Sequence, residues 1–228
     1  MSSVGQQMLL AGEAAATLTF QGTTNYPSDG QTVTFLSVDI GAAASGRYVF
    51  VSIPYYNGTL ANYSIGSVTI GGVLATIHSQ PFVPVGATAY GGCALVSALV
   101  PIGATADIII TWAASGAGYY RPEINVYRVT GLRSNTPTDL VTNTASNHSP
   151  SITTVTVQKG GIALLACHMF GDSNSRTMSG LPTDFMTSPL ASTVYIGGGS
   201  AVSTAGPLTA TIPNSGQAYW CVIMASFR

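Results

Sequence analysis

The sequence predicts an all-β protein, a jelly-roll-like antiparallel β-sandwich, and three observations carry that expectation. Short β-prone runs recur along the chain, separated by Gly, Pro, Asn and Ser. No convincing helix interrupts them. Several runs are apolar on both faces, the pattern of strands covered from two sides. About a dozen strands without alternating helices close into a sandwich or jelly roll.

The elements follow in order. Residues 17–20 and 32–38 open the pattern. In the second run Val33 and Phe35 alternate, then Leu36 and Val38 do, so one extra residue at Phe35-Leu36 reads as a bulge. Residues 47–53 place Val49, Val51 and Ile53 on one face and Tyr48 and Phe50 on the other, which suits a central or interface strand. The run 68–74 carries Gly71-Gly72 between two β-prone stretches. Glycine there supplies the positive φ that a two-residue hairpin turn needs. Further strands are expected at 93–100, 107–112, 123–130, 152–157, 162–170, 194–196, 208–212 and 219–227. The last is apolar on both faces and reads as a central strand closing the fold. Gly197-Gly198-Gly199 reads as a turn. Residues 132–151 and 171–190 read as long irregular stretches, first candidates for partner contacts.

The chain divides into an N-terminal arm or short helix at 1–16 and one β-sandwich domain at 17–228. With 228 residues it can bury a substantial core. No internal repeat and no Pro/Ser/Gly linker is visible. Charge is sparse: 7% of residues, against about a quarter in ordinary globular domains. The polar surface must therefore consist of Ser, Thr, Asn, Gln, Tyr and backbone. That suits a protein covered by partners or working in a large assembly; a solvated monomer with a neutral polar surface is the plain alternative. Net charge is −1, with no basic run to neutralise phosphates, so no nucleic-acid partner is expected. No stretch reaches the ~20 apolar residues of a bilayer span, and no cationic amphipathic segment points to a membrane surface. The N-terminus lacks the basic region of a signal peptide. Cys93, Cys167 and Cys221 each sit in an apolar run; an odd count is no disulfide framework and favours folding in a reducing cytoplasm.

Chemistry-bearing patterns are few. His168 is in register with Ile162, Leu164 and Ala166, so it reads as a core histidine. His148 sits in an Asn/Ser loop and His78 ends a strand. No serine lies in a GxSxG elbow. Only Glu13 and Glu123 are glutamates, too few for an evident glycosidase dyad, and an ion pair of Glu123 with Arg121 or Arg128 is its simple explanation. Asp172-Ser173-Asn174 lacks the later ligands of a calcium loop. No catalytic residue, metal site or cofactor is expected, and the chain reads as a non-enzyme. The aromatic doublets remain. Tyr55, Tyr56, Tyr119 and Tyr120 lie beside turns, and one member of each doublet must face outward. They are the candidate interface or binding residues, able to stack on a sugar ring or anchor a protein contact. Trp112 and Trp220 read as core.

Four stretches carry a family resemblance: residues 66–76 (GSVTIGGVLAT), 124–132 (INVYRVTGL), 157–164 (VQKGGIAL) and the closing Ala225-Ser226-Phe227-Arg228. From about Val33 onward the chain resembles small β-sandwich virion proteins of tailed bacteriophages. The resemblance implies a virion structural protein made in the host bacterial cytoplasm. The first reading is a capsid decoration (cement) protein that stabilises the head by packing between subunits. The alternative is a tail-tip or fibre module that binds a carbohydrate or receptor. The partners it implies are copies of the chain, a homotrimer among the candidate homo-oligomers, and a major capsid or tail protein.

Overall fold

The computed structural model describes residues 14–26, 30–58, 64–85, 89–113, 121–145, 151–171, 176–190, 192–213 and 219–228. In chain order the strands are β1 (Thr17–Asn25), β2 (Thr32–Asp39), β3 (Tyr48–Asn57), β4 (Ile65–Ile70), β5 (Val73–Leu74), β6 (Thr76–Ser79), β7 (Phe82–Val85), β8 (Ala89–Leu99) and β9 (Thr105–Trp112). They continue with β10 (Glu123–Thr130), β11 (Asp139–Ala145), β12 (Ser151–Val157), β13 (Ile162–Phe170), β14 (Phe185–Leu190), β15 (Thr193–Ala201), β16 (Gly206–Ile212) and β17 (Tyr219–Phe227). Every regular element among the described residues is a strand, and the sheets are antiparallel. The all-β expectation holds.

Among the described residues the strands form four sheets, stacked in layers. The first inner sheet runs β1-β10-β3-β8, with β6 and β7 both on the far edge of β8; the first outer sheet runs β2-β9-β4-β5. The second inner sheet runs β11-β17-β13-β15-β14, and the second outer sheet is β12-β16. Strand alternation decides which face each side chain joins. Val49, Val51 and Ile53 of β3 meet Val33, Phe35, Val68, Ile108, Ile110 and Trp112 in a core between the first inner and outer sheets. Leu165 and Cys167 of β13 and Trp220, Val222 and Met224 of β17 meet Val155, Val157, Ala210 and Ile212 in a second such core. The opposite faces of both inner sheets meet each other. There Phe50, Cys93, Leu95, Tyr127 and Val129 pack on Leu164, Ala166, Cys221, Ile223 and Phe227. Runs apolar on both faces, such as 219–227, are strands with a core on each side, as their sequence predicts.

The two halves repeat one pairing scheme. In the first, β1 pairs with β10, β2 with β9 and β3 with β8. In the second, β11 pairs with β17, β12 with β16 and β13 with β15. Register repeats too: Tyr48 opposes Leu99 and Val129, and Ile162 opposes Ala201 and Phe227. The entry turns match as well. Arg47 N–H donates to Ala44 O and its carbonyl accepts from Val100; Gly161 N–H donates to Gln158 O and its carbonyl accepts from Val202. In the first half β4 lies on β9; in the second a single bridge, Ser179 to Thr211, stands on β16 in its place. Not one residue is identical between Tyr48–Tyr56 and the register-matched Ile162–Phe170. Only apolar character is shared, which is why no repeat is visible in the sequence.

Local expectations fare unevenly. The bulge is present: register shifts between Phe35 and Val38, and Ser37 takes a positive φ of 51°. The Gly71-Gly72 turn joins β4 to β5 with both glycines at positive φ. Two expectations are corrected. The stretches 132–151 and 171–190 contain β11 and β14, and Gly197–Gly199 lie inside β15, not in a turn. A Cβ at Gly198 would stand 1.8 Å from the Pro182 carbonyl oxygen, so a side chain has no room there. The arm at 1–16 falls outside the described residues except at its end. There Ala16 N–H donates to Gly160 O, and Arg228 Nη1 donates to Ala14 O and Gly160 O.

Buried Arg47 closes the outer end of the first half. Its Nε donates to Val100 O (2.7 Å), Nη1 to Gly41 O (2.5 Å) and Nη2 to Ile102 O (2.7 Å). At the middle core the close approach is set by Gly91, where a Cβ would fall 1.9 Å from His168 Cε1. His168 is wholly buried and cannot swing away. Gly91→Ala is therefore expected to destabilise the chain by about 1–3 kcal/mol in equilibrium denaturation. His168→Ala in the same chain should recover part of that loss, giving a non-additive cycle; strict additivity would mean the two residues do not touch.

Candidate functional site

A concavity lies where the ends of five segments from the two halves converge. A cavity of about 320 Å³ is lined by Tyr56, Arg121, Phe170, Leu190 and Thr193. Alternation along β3 explains why only one tyrosine of its doublet reaches it. Tyr55 is buried in the first core, edge-on to Trp112 at 4.9 Å and seated over Gly92. Tyr56 faces the other way and stacks on Phe170, with centroids 5.5 Å apart and planes 11° apart. Tyr119 and Tyr120, the other doublet, lie outside the described residues, as do His148 and Asp172.

Beneath the rings lies a buried polar layer. His168 sits between Tyr56 (6.5 Å) and Tyr195 (5.5 Å), with neither ring nitrogen hydrogen-bonded. Burial pushes its pKa down to about 3, so it is a neutral ring. This is the core histidine the strand register predicts. Tyr195 Oη donates to Arg121 O at 2.9 Å, fixing the backbone that carries the guanidinium. That guanidinium lies 5.8 Å over the Tyr26 ring. Thr193 is wholly buried, and its hydroxyl is not hydrogen-bonded.

Glu123 begins β10 in the same layer, held by side-chain hydrogen bonds. Its carboxylate accepts from Asn125 Nδ2 at 3.0 Å and from Thr187 Oγ1. Arg128, one expected ion-pair partner, instead donates its Nε to Ala42 O. Burial raises the Glu123 pKa to about 7, against the two hydrogen bonds that lower it. His78, the remaining described histidine, meets Ser97 Oγ at 2.8 Å, stacks on Phe50 and meets Phe227 edge-on; burial lowers its pKa to about 4.

The lining thus offers two flat rings, one cation and one apolar side chain around a small opening. Sequence reasoning found Tyr56 through its doublet. It missed Arg121, Phe170, Leu190 and Thr193 as a group, because strand ends far apart in the chain meet only through the sheet order. Among the described residues no three His, Cys, Asp or Glu side chains converge as a metal site. No protein-family model, no curated protein and no solved structure matches this chain.

Glu123 gives a pH test with a definite sign. The folded chain keeps its proton up to about pH 7, while an ordinary glutamate loses it near 4.5. Between those values the folded state binds more protons, so this group lowers stability as pH rises. Glu123→Gln mimics the protonated form. Its stability relative to the parent should climb between pH 4.5 and 7.5 by about 2 kcal/mol in denaturant titrations. A flat difference curve would mean that Glu123 is ionised and solvated in the fold.

Proposed function

We propose that this chain is a non-catalytic structural protein of a bacteriophage virion, a decoration (cement) protein that stabilises the head by packing between subunits. The observation carrying the reading is where the most exposed apolar side chains stand. Of the large apolar side chains exposed among the described residues, the three most exposed, Leu36 (73%), Leu74 (69%) and Ile102 (78%), lie toward the end of the first half where β9 begins. Asp107 ties that end together: its Oδ1 accepts from Ser37 N–H beside Leu36, and its carbonyl accepts from Gly71 N–H in the turn before Val73 and Leu74. Ile102 belongs to the neighbouring β8–β9 connection, whose backbone Arg47 holds. Apolar side chains displayed on a braced frame, beside very little charge, suit a contact that must be covered to be stable.

The nested pairing of first strand with last, second with next-to-last, supports a jelly-roll reading of each half. A rigid block of this kind has little to reorganise on binding, which keeps the entropic cost of a repeated contact low. Many modest contacts on a shell then add by avidity. Self-association, with a homotrimer as the first candidate, fits the same surface.

A second reading rests on a separate observation, the cavity holding Tyr56, Phe170 and Arg121. Stacked rings beside a cation suit a tail-tip or fibre module that takes a saccharide. The two readings predict different losses. Purified protein titrated onto heads assembled without it should bind saturably, and Leu36→Asp with Ile102→Asp should abolish that binding while leaving the circular dichroism spectrum unchanged. Absence of saturable binding by the parent would overturn decoration. Glycan binding lost on Tyr56→Ala, with head binding absent, would establish the alternative.

A further inference from the structure

We propose that Cys93 and Cys221 form a latent disulfide, open in a reducing compartment and able to lock the two halves of the chain together under oxidising conditions. Cys93 lies on β8 in the first inner sheet and Cys221 on β17 in the second. Their Sγ atoms are 3.5 Å apart across the middle core, although the residues are 128 positions apart in sequence. The sheets approach closely here because the residues that face the seam beside the two cysteines are small: Gly91 lies against His168, and Ala166 packs in the same core. Each thiol reaches backbone of the facing sheet. Cys93 Sγ lies 3.6 Å from Ala166 O and 3.7 Å from Cys221 O, and Cys221 Sγ lies 3.9 Å from Gly91 O. A disulfide needs about 2.05 Å between sulfurs, a closure of about 1.5 Å within reach of side-chain torsions and a small sheet adjustment.

The third cysteine cannot take either place without unfolding. Cys167 faces the second core with Met169 and Val222, and its Sγ lies by His168 O. Alternation along β13 turns it away from the middle core that Cys221 enters from the paired strand.

Closure needs an oxidant, here a low-molecular-weight disulfide such as oxidised glutathione. One cysteine, as thiolate, attacks a sulfur of the oxidant, breaking its S–S bond; the departing thiolate takes up a proton. The second cysteine, deprotonated in turn, attacks the protein-bound sulfur of the mixed disulfide and releases the second small thiol. The two protein thiols lose two electrons and two protons, and the oxidant becomes two thiols. Both cysteines are wholly buried, and burial raises the Cys93 thiol well above its ordinary range. The closed protein therefore reacts slowly, and the bond forms during folding or when the inner sheets part transiently.

The test uses the full chain, refolded from denaturant in parallel with oxidised glutathione and with dithiothreitol. Cleavage after Arg and Lys places the three cysteines on separate peptides. The oxidised sample should lose the mass of two hydrogens and yield one linked pair containing Cys93 and Cys221. Its melting temperature should rise by roughly 10 °C, because the bond closes a very long loop. The rise should persist in Cys167→Ala and vanish in Cys93→Ala. Mass spectrometry of the parent decides even if Cys93→Ala fails to fold. Native refolding with three free thiols, with glutathione left on Cys93 or Cys221, or with a link through Cys167 would overturn the proposal. So would a Cys93–Cys221 link that lowers the melting temperature.

Discussion

The mutual burial of the two inner sheets is the contact on which the other features rest. Each inner sheet has a core on both faces, so neither half can expose its inner face to water without uncovering residues such as Phe50, Leu164, Ile223 and Phe227. The Phe50–Phe227 edge-on pair at 4.7 Å marks the wide part of that interface. Gly91 against His168 and the Cys93–Cys221 contact mark the narrow part. Glycine and alanine let the sheets close there, and the aromatic rings fill the space where they diverge. Arg228 at the chain's end and Ala16 near its start are tied to the same Gly160 carbonyl, which fastens the two halves at one margin.

This arrangement also decides where chemistry can reside. Polar groups drawn into the seam lose water, and their protonation follows: His168 and His78 are held neutral, and Glu123 is pushed toward its protonated form. Such groups stiffen the layer beneath the cavity, with Tyr195 holding the Arg121 backbone from below. The cavity and the exposed apolar end lie on different parts of the molecule. One is built from both halves, the other from the first half alone. The decoration and saccharide readings are therefore separable by substitution.

The sequence conveys the buried strands well and the edge strands poorly. Ile162–Phe170 and Tyr219–Phe227 are legible residue for residue, because strands with a core on each face are nearly continuous apolar runs, and Glu123–Thr130 is legible from its β-branched and aromatic residues. β11 and β14 are edge strands. β11 is half exposed and rich in Thr and Asn, and β14 contains Pro189, which a strand tolerates only at an edge, so neither carries a β signal of its own. Gly197–Gly199 mimic a turn because composition does not reveal that Pro182 and Phe185 press on them. Tyr56 is legible as a surface candidate from its doublet. Its neighbours in the cavity are not, since they are brought together by sheet order across the two halves, and the repeat that sets this order leaves no identical residue between β3 and its counterpart β13.

The two tryptophans report on opposite sides of the seam: Trp112 lies in the first half's core and Trp220 in the second's. Fluorescence-monitored denaturation of Trp220→Phe and of Trp112→Phe, each against far-ultraviolet circular dichroism, therefore follows each half separately. If the inner sheets bury each other as described, each variant loses both signals in one transition, with no plateau. A reproducible separation, in which one half melts while circular dichroism retains the other, would show two independent sandwiches and contradict the account.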